Sequence, residues 1–104
     1  MDPKGNLDMK SLIATVETKN ARRYLQQLCT HWGQQFTIIF NEHRGTIDFG
    51  DGQAVELSAT EEFLEITILD EQETRLQELE KVVANHLLRF SHKEQLNPLL
   101  IFLE

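Results

Sequence analysis

Asn20-Ala21-Arg22-Arg23-Tyr24-Leu25-Gln26-Gln27-Leu28-Cys29-Thr30-His31-Trp32-Gly33 is the stretch on which the fold turns. Its apolar residues Ala21, Tyr24, Leu25, Leu28, Cys29 and Trp32 fall at i, i+3, i+4, i+7, i+8 and i+11. That spacing gathers all six on one side of a 3.6-residue helix and sends the arginines and glutamines to the other. Asn20 is placed to cap the helix, because its side-chain oxygen can accept a bond from a free backbone N–H of the first turn. Gly33 is placed to end it, since glycine enters the left-handed conformation without a steric penalty.

The pattern changes immediately downstream. Phe36, Ile38 and Phe40 alternate, Asn41 to Gly45 reads as a loop, and Ile47 and Phe49 alternate before the turn Gly50-Asp51-Gly52. Val55 and Leu57 mark the next strand, Ala59 to Glu62 a turn, and Leu64, Ile66 and Ile68 another strand. Short alternating runs joined by short polar turns describe an antiparallel meander. Thr37, Asp48, Glu56, Glu65 and Thr67 occupy the intervening positions, so one face of the sheet is wet and the other packs on helices.

Upstream, Leu12, Ala14 and Val16 give a first strand over Ser11 to Glu17, preceded by a flexible leader over residues 1–9. Downstream, Leu76, Leu79, Val82, Val83, Leu87 and Phe90 form the stripe of a second helix. Asp70 and Glu73 stand at its start as a capping-box-like pair, and Arg89 and Lys93 suit its negative end. Pro98 prevents continuation, and Leu99 to Leu103 is a short apolar run that reads as a last strand or dimer element. The order is β-α-β-β-β-β-α-β. Residues 10–104 therefore form a single α+β domain, two helices packed on one face of a mostly antiparallel sheet.

Composition narrows the function classes. Ten Lys and Arg against seventeen Asp and Glu leave a formal net charge of −7, which repels phosphate backbones and argues against a nucleic-acid partner. Between Glu61 and Glu80 eight acids stand against Arg75 alone, which reads as one solvated acidic face or a docking surface for a basic partner. One cysteine, Cys29, excludes an intrachain disulfide and favours a reducing compartment, hence the cytoplasm. No apolar run approaches the ~20 residues that a spanning helix needs, so membrane insertion is not expected.

There is no phosphate-binding glycine loop, no serine elbow, and no CxxC or HExxH pair. No cofactor is evident. The remaining candidates are Cys29, His31, Trp32, His86, Arg89 and His92. Cys29 and Trp32 lie on the apolar stripe and read first as core. His31 lies off that stripe near the helix end, and His86 sits at the margin of the second stripe, where half-buried histidines are common. If the helices bring His31 and His86 together, with Cys29 or His92 as a further ligand, zinc or iron would suit the donor set. An acid–base role for His86, Arg89 and Glu94 has no accompanying nucleophile or oxyanion donor.

Three segments carry a family resemblance. They are Thr18-Lys19-Asn20-Ala21 through Tyr24-Leu25, Gln27-Leu28-Cys29 and His31-Trp32; Gly45-Thr46-Ile47-Asp48-Phe49; and Leu79 through Val82-Val83-Ala84-Asn85-His86-Leu87-Leu88-Arg89-Phe90. With their spacing intact over Ser11 to Leu96, the chain resembles the bacterial domain-of-unknown-function family 2218. The resemblance implies a small cytoplasmic bacterial domain whose fold is similar to the C-terminal domain of phosphohexomutases. It also implies an association with siderophore-interacting flavin reductases, and so with iron acquisition. After Phe90 the chain carries Ser91-His92-Lys93 where relatives have an Ala-Phe-Arg-like continuation, so an arginine role there does not carry over.

The expected function is an accessory or interaction domain, linked to iron or siderophore handling, that meets a protein partner or small ligand at His31, Trp32, His86 and Arg89. The alternative is a metal-binding protein using His31 and His86, and a weaker one is a small enzyme. Monomer and homodimer are both compatible with the sequence.

Overall fold

The computed structural model describes residues 10–90 and the strand at 98–99. In chain order the elements are β1 (Lys10–Glu17), α1 (Ala21–Trp32), β2 (Thr37–Phe40), β3 (Arg44–Gly50), β4 (Gln53–Ala59), β5 (Phe63–Asp70), α2 (Glu73–Phe90) and β6 (Pro98–Leu99). This is the expected order. The leader at 1–9, His92, Glu94 and residues 100–103 lie outside the described residues.

The strands form one antiparallel sheet in the order β2-β3-β4-β5-β1-β6, five full strands and the two-residue β6. Consecutive strands β2 to β5 are neighbours, as a meander requires. Register places Thr37 opposite Asp48, Glu56 opposite Thr67 and Ser58 opposite Glu65, so the polar positions share the face turned away from the helices. Ile47, Val55, Leu57, Leu64, Ile66, Ile68, Leu12, Ala14 and Val16 take the other face and meet both helices in one core.

The six residues of the α1 stripe are the six that α1 buries. Leu25 and Leu28 are fully buried, each worth roughly 1.5–3 kcal/mol relative to exposure. That outweighs the few tenths by which ordinary residues differ in helix propensity. The helix ends differ from expectation. Asn20 makes no side-chain cap; its backbone carbonyl accepts the Tyr24 N–H at 3.0 Å, while its own N–H donates to Thr18 Oγ1 at 3.0 Å. Gly33 is right-handed (φ −64°), with its N–H donating to the Cys29 carbonyl at 2.8 Å. Glycine is useful there for space, since a Cβ would stand 2.9 Å from that same carbonyl oxygen.

The β3–β4 hairpin turns through Asp51 and Gly52, both at positive φ (58° and 77°), the pair that type I′ turns select. A register shift between Asp48 and Gly50 adds a bulge at Phe49. β3 starts earlier than expected because Asn41 turns the chain tightly, its Oδ1 accepting the N–H groups of His43 and Arg44 at 2.8 and 2.9 Å.

Asp70 does not open α2. It ends β5 opposite Lys10, fully buried, and its carboxylate accepts from the Gln72 N–H (3.0 Å) and Gln53 Nε2 (2.9 Å). Arg75 Nε lies 3.4 Å away and its guanidinium reaches on to Asp51. With its carboxylate satisfied by this network, Asp70 stays in the strand, and the Gln72 carbonyl accepts the Leu76 N–H instead. In α2 Leu76, Leu79, Val83 and Leu87 are buried, whereas Val82 is 41% exposed. The stripe follows the 3-4-4 spacing of those four residues, and Val82 lies a quarter turn off it.

The acidic stretch does not make one face. Glu61 and Glu62 lie in the β4–β5 turn, Glu65 points to the open side of the sheet, and Asp70 is interior. Glu71, Glu73 and Glu78 are exposed around the start of α2. Strand alternation and a turn divide what is contiguous in sequence.

Candidate functional site

Helix geometry decides what the end of α1 presents. Each residue advances about 100° around the axis, so Cys29 and His31 point to nearly opposite sides. Cys29 is buried against the sheet, facing Gly45 of β3; a Cβ on Gly45 would lie 2.7 Å from its Sγ. Burial pushes the Cys29 thiol up to about 11, so at neutral pH it is a protonated apolar group and a poor nucleophile or metal ligand.

His31 faces outward, and α2 brings His86 to it. The two imidazole centres are 4.8 Å apart with planes at 51°. Trp32 lies beside both, its ring centre 4.8 Å from His86 and 5.8 Å from His31. Trp32 is itself only 6% exposed, because Phe49 meets it edge-on at 5.5 Å and Phe36 backs Phe49 at 4.7 Å. The junction is thus an aromatic wall with two imidazoles at its outer margin.

His86 is oriented by its own helix. Its Nδ1 lies 2.8 Å from the Val82 carbonyl oxygen. A carbonyl only accepts, so Nδ1 carries a proton in this contact. Arg89 follows three residues on, exposed in the last turn of α2, where its charge complements the dipole.

Of the residues singled out from sequence, His31, Trp32 and His86 are therefore brought together, Arg89 lies one turn along the same helix, and Cys29 is turned away. Among the described residues no group of three or more His, Cys, Asp and Glu side chains gathers as a metal cage. Phe49 and Phe36, which hold Trp32, were legible in sequence only as strand residues. The bulge at Phe49 is a feature of pairing and leaves no local composition signal.

A separate, open cleft of about 580 Å³ lies at the other end of α1, lined by Arg22, Arg23, Gln26, Phe40, Asn41 and Glu42. It does not include the histidines. Its two arginines share the lining with Glu42, so its charge is mixed, and it holds no buried polar group that would fix a ligand.

Fold and junction together define a class: a two-helix, antiparallel-sheet α+β domain with an aromatic–histidine seam and a buried, inert cysteine. The chain belongs to the bacterial family DUF2218, described as "Uncharacterized protein conserved in bacteria", whose model matches residues 13–98. It is also similar to the NMR structure of PA4090 from Pseudomonas aeruginosa, at 33% identity and a TM-score of 0.70, covering 85% of this chain and 93% of that one. No curated protein matches. Among the described residues no helix is long and apolar enough to cross a membrane.

Proposed function

We propose that this domain is a non-catalytic accessory module that binds a partner at the α1–α2 junction, through His31, His86 and Arg89 on the Trp32 wall. The observation that carries the reading is the 4.8 Å approach of two imidazoles contributed by different helices. The pair stands at an accessible margin of the fold, since His31 is exposed and His86 is half-buried. The wall behind the histidines is filled by Trp32, Phe49 and Phe36, which favours a surface over a substrate cavity. Among the described residues no nucleophile or oxyanion donor accompanies the pair, which weighs against an enzyme. Iron or siderophore handling is the cellular setting we propose, from the association with siderophore-interacting flavin reductases that the sequence resemblance implies; the family's own description names no activity.

The test is capture of partners from iron-starved and iron-replete bacterial cells, by the wild-type chain and by a His31→Ala/Arg89→Ala variant. A specific partner held by wild type and lost by the variant supports the reading. Recovery of nothing above background under both conditions, or equal capture by the variant, rejects it.

A further inference from the structure

We propose that β2 is the contact between two copies of this chain, paired antiparallel about a two-fold axis that passes through Ile39. The proposal goes beyond the α1–α2 junction and does not depend on it.

The two edges of the sheet differ. At one, the described strand is Pro98–Leu99, and proline donates no backbone N–H. At the other stands β2, Thr37-Ile38-Ile39-Phe40, with β3 on one side and no described strand on the other. Sheets usually blunt such an edge with charge, proline or a bulge. β2 has none of the three. It also carries Ile39 on the open face at 77% exposure, the most exposed large hydrophobic among the described residues.

Backbone direction fixes the register. Along a strand, the N–H and C=O groups of successive residues point alternately to the two sides. The Asn41 N–H donates to the Arg44 carbonyl at 2.8 Å, so Asn41, Ile39 and Thr37 turn their backbone groups towards β3. Ile38 and Phe40 turn theirs outward. A two-fold axis at Ile39 sets Ile38 opposite Phe40 of the second copy, and each such pair exchanges two N–H···O bonds. Every outward group of the strand is then used. An axis at Ile38 would instead set Phe40 against Phe36, whose N–H is already held by the Trp32 carbonyl at 2.9 Å. In the Ile39 register the two Ile39 side chains meet in a non-bonded pair, where Cα atoms stand about 4.5 Å apart and side chains come closest. Half-buried Ile38 lies beside the second copy's Phe40, a residue 43% exposed in the single chain.

Charge favours the same occupant. Copies of a chain of net charge −7 repel each other, so they meet best where that charge is absent. Thr37 to Phe40 is uncharged, and beside Phe40 Arg22 and Arg23 share a cleft wall with Glu42 as its one acid. The contact is short, which makes the dimer weak and exchangeable.

The experiment is sedimentation of the full chain over about a hundredfold range of concentration, reaching the millimolar region where weak contacts fill. The mass should rise from one chain towards two. Ile39→Lys, at a position too exposed for folding to be at stake, should stay monomeric throughout, because it sets two ammonium groups against each other. Val82→Lys, an exposed apolar position on α2, should dimerise as wild type does. Oxidation reads the register. Ile39→Cys should give a disulfide-linked dimer, since its Cα atoms would stand about 4.5 Å apart. Thr37→Cys, on the same face, should give none, because its Cα atoms would lie about 14 Å apart. A dimer that survives Ile39→Lys, or that crosslinks through Thr37→Cys in preference, overturns the proposal. So does a monomer at every concentration, which would leave the edge to the strand of a different chain.

Discussion

Cys29 and His31 stand two residues apart on α1, yet their surroundings obey different rules. Cys29 is wedged between helix and sheet at a point where β3 carries glycine, and one added carbon would collide with its sulfur. His31 meets its neighbours ring to ring at an exposed margin. Trp32 divides the two regions. On the sheet side the tolerance for change is a fraction of an ångström, whereas on the junction side His31 is exposed to solvent. The first region specifies the fold, and the second is where the proposed partner would meet it.

The largest expected effect comes from removing the divider. Trp32→Ala should lower unfolding free energy by about 3–5 kcal/mol in a denaturant titration. A loss under about 1 kcal/mol would mean that Trp32 belongs to the surface, and the two regions would merge. Gly45→Ala comes next, at about 1–3 kcal/mol, because either the sulfur or the strand must give. Adding Cys29→Ala should recover part of that loss, since it removes the colliding atom, and additivity of the two changes would break the account of a tight seam.

A pH experiment sharpens the same contrast. The folded state holds the Cys29 proton more tightly than the unfolded chain does, with the thiol raised from 9.0 to about 11. The stability this contributes is complete below pH 9 and is lost as pH rises towards about 11. Wild type should therefore lose stability more steeply than Cys29→Ala across that alkaline window; parallel curves would show that the thiol is more open to water than its burial implies. The smallest effect is expected at His31→Ala, within about 0.5 kcal/mol. A change above about 1 kcal/mol would place His31 in the packing.

The helix stripe of α1 was fully legible because its period is local and its six apolar residues are the six that it buries. Strand order was legible as far as adjacent strands go. What failed were the ends. Asn20 and Gly33 have the right residue types for caps and stand at the cap positions, but Asn20 receives the Tyr24 N–H on its backbone carbonyl with no side-chain cap, and Gly33 stays right-handed with its N–H on the Cys29 carbonyl. Asp70 looked like a helix start because its partners, Gln53 and Arg75, come from distant and later residues. The candidate site was legible as residues without geometry. Spacing already set Cys29 apart from His31, whereas the approach of His86 depends on how α2 crosses α1, and Trp32's support depends on a bulge in β3.

The position of β1 has a consequence for how the molecule comes into being. The chain's first strand ends up inside the sheet, between β5 and β6, with Lys10 opposite Asp70 and Glu17 opposite Phe63. Hairpins such as Gly50 to Gln53 close over a handful of residues, but β1 waits for a partner synthesised much later. The entropy of closing that long loop grows only slowly, about 0.6 kcal/mol per doubling, so the delay costs time more than stability. Until β5 has emerged from the ribosome, Leu12, Ala14 and Val16 have no sheet to join. The nascent chain therefore carries an unpaired strand until β5 follows, and that strand is where premature association would begin.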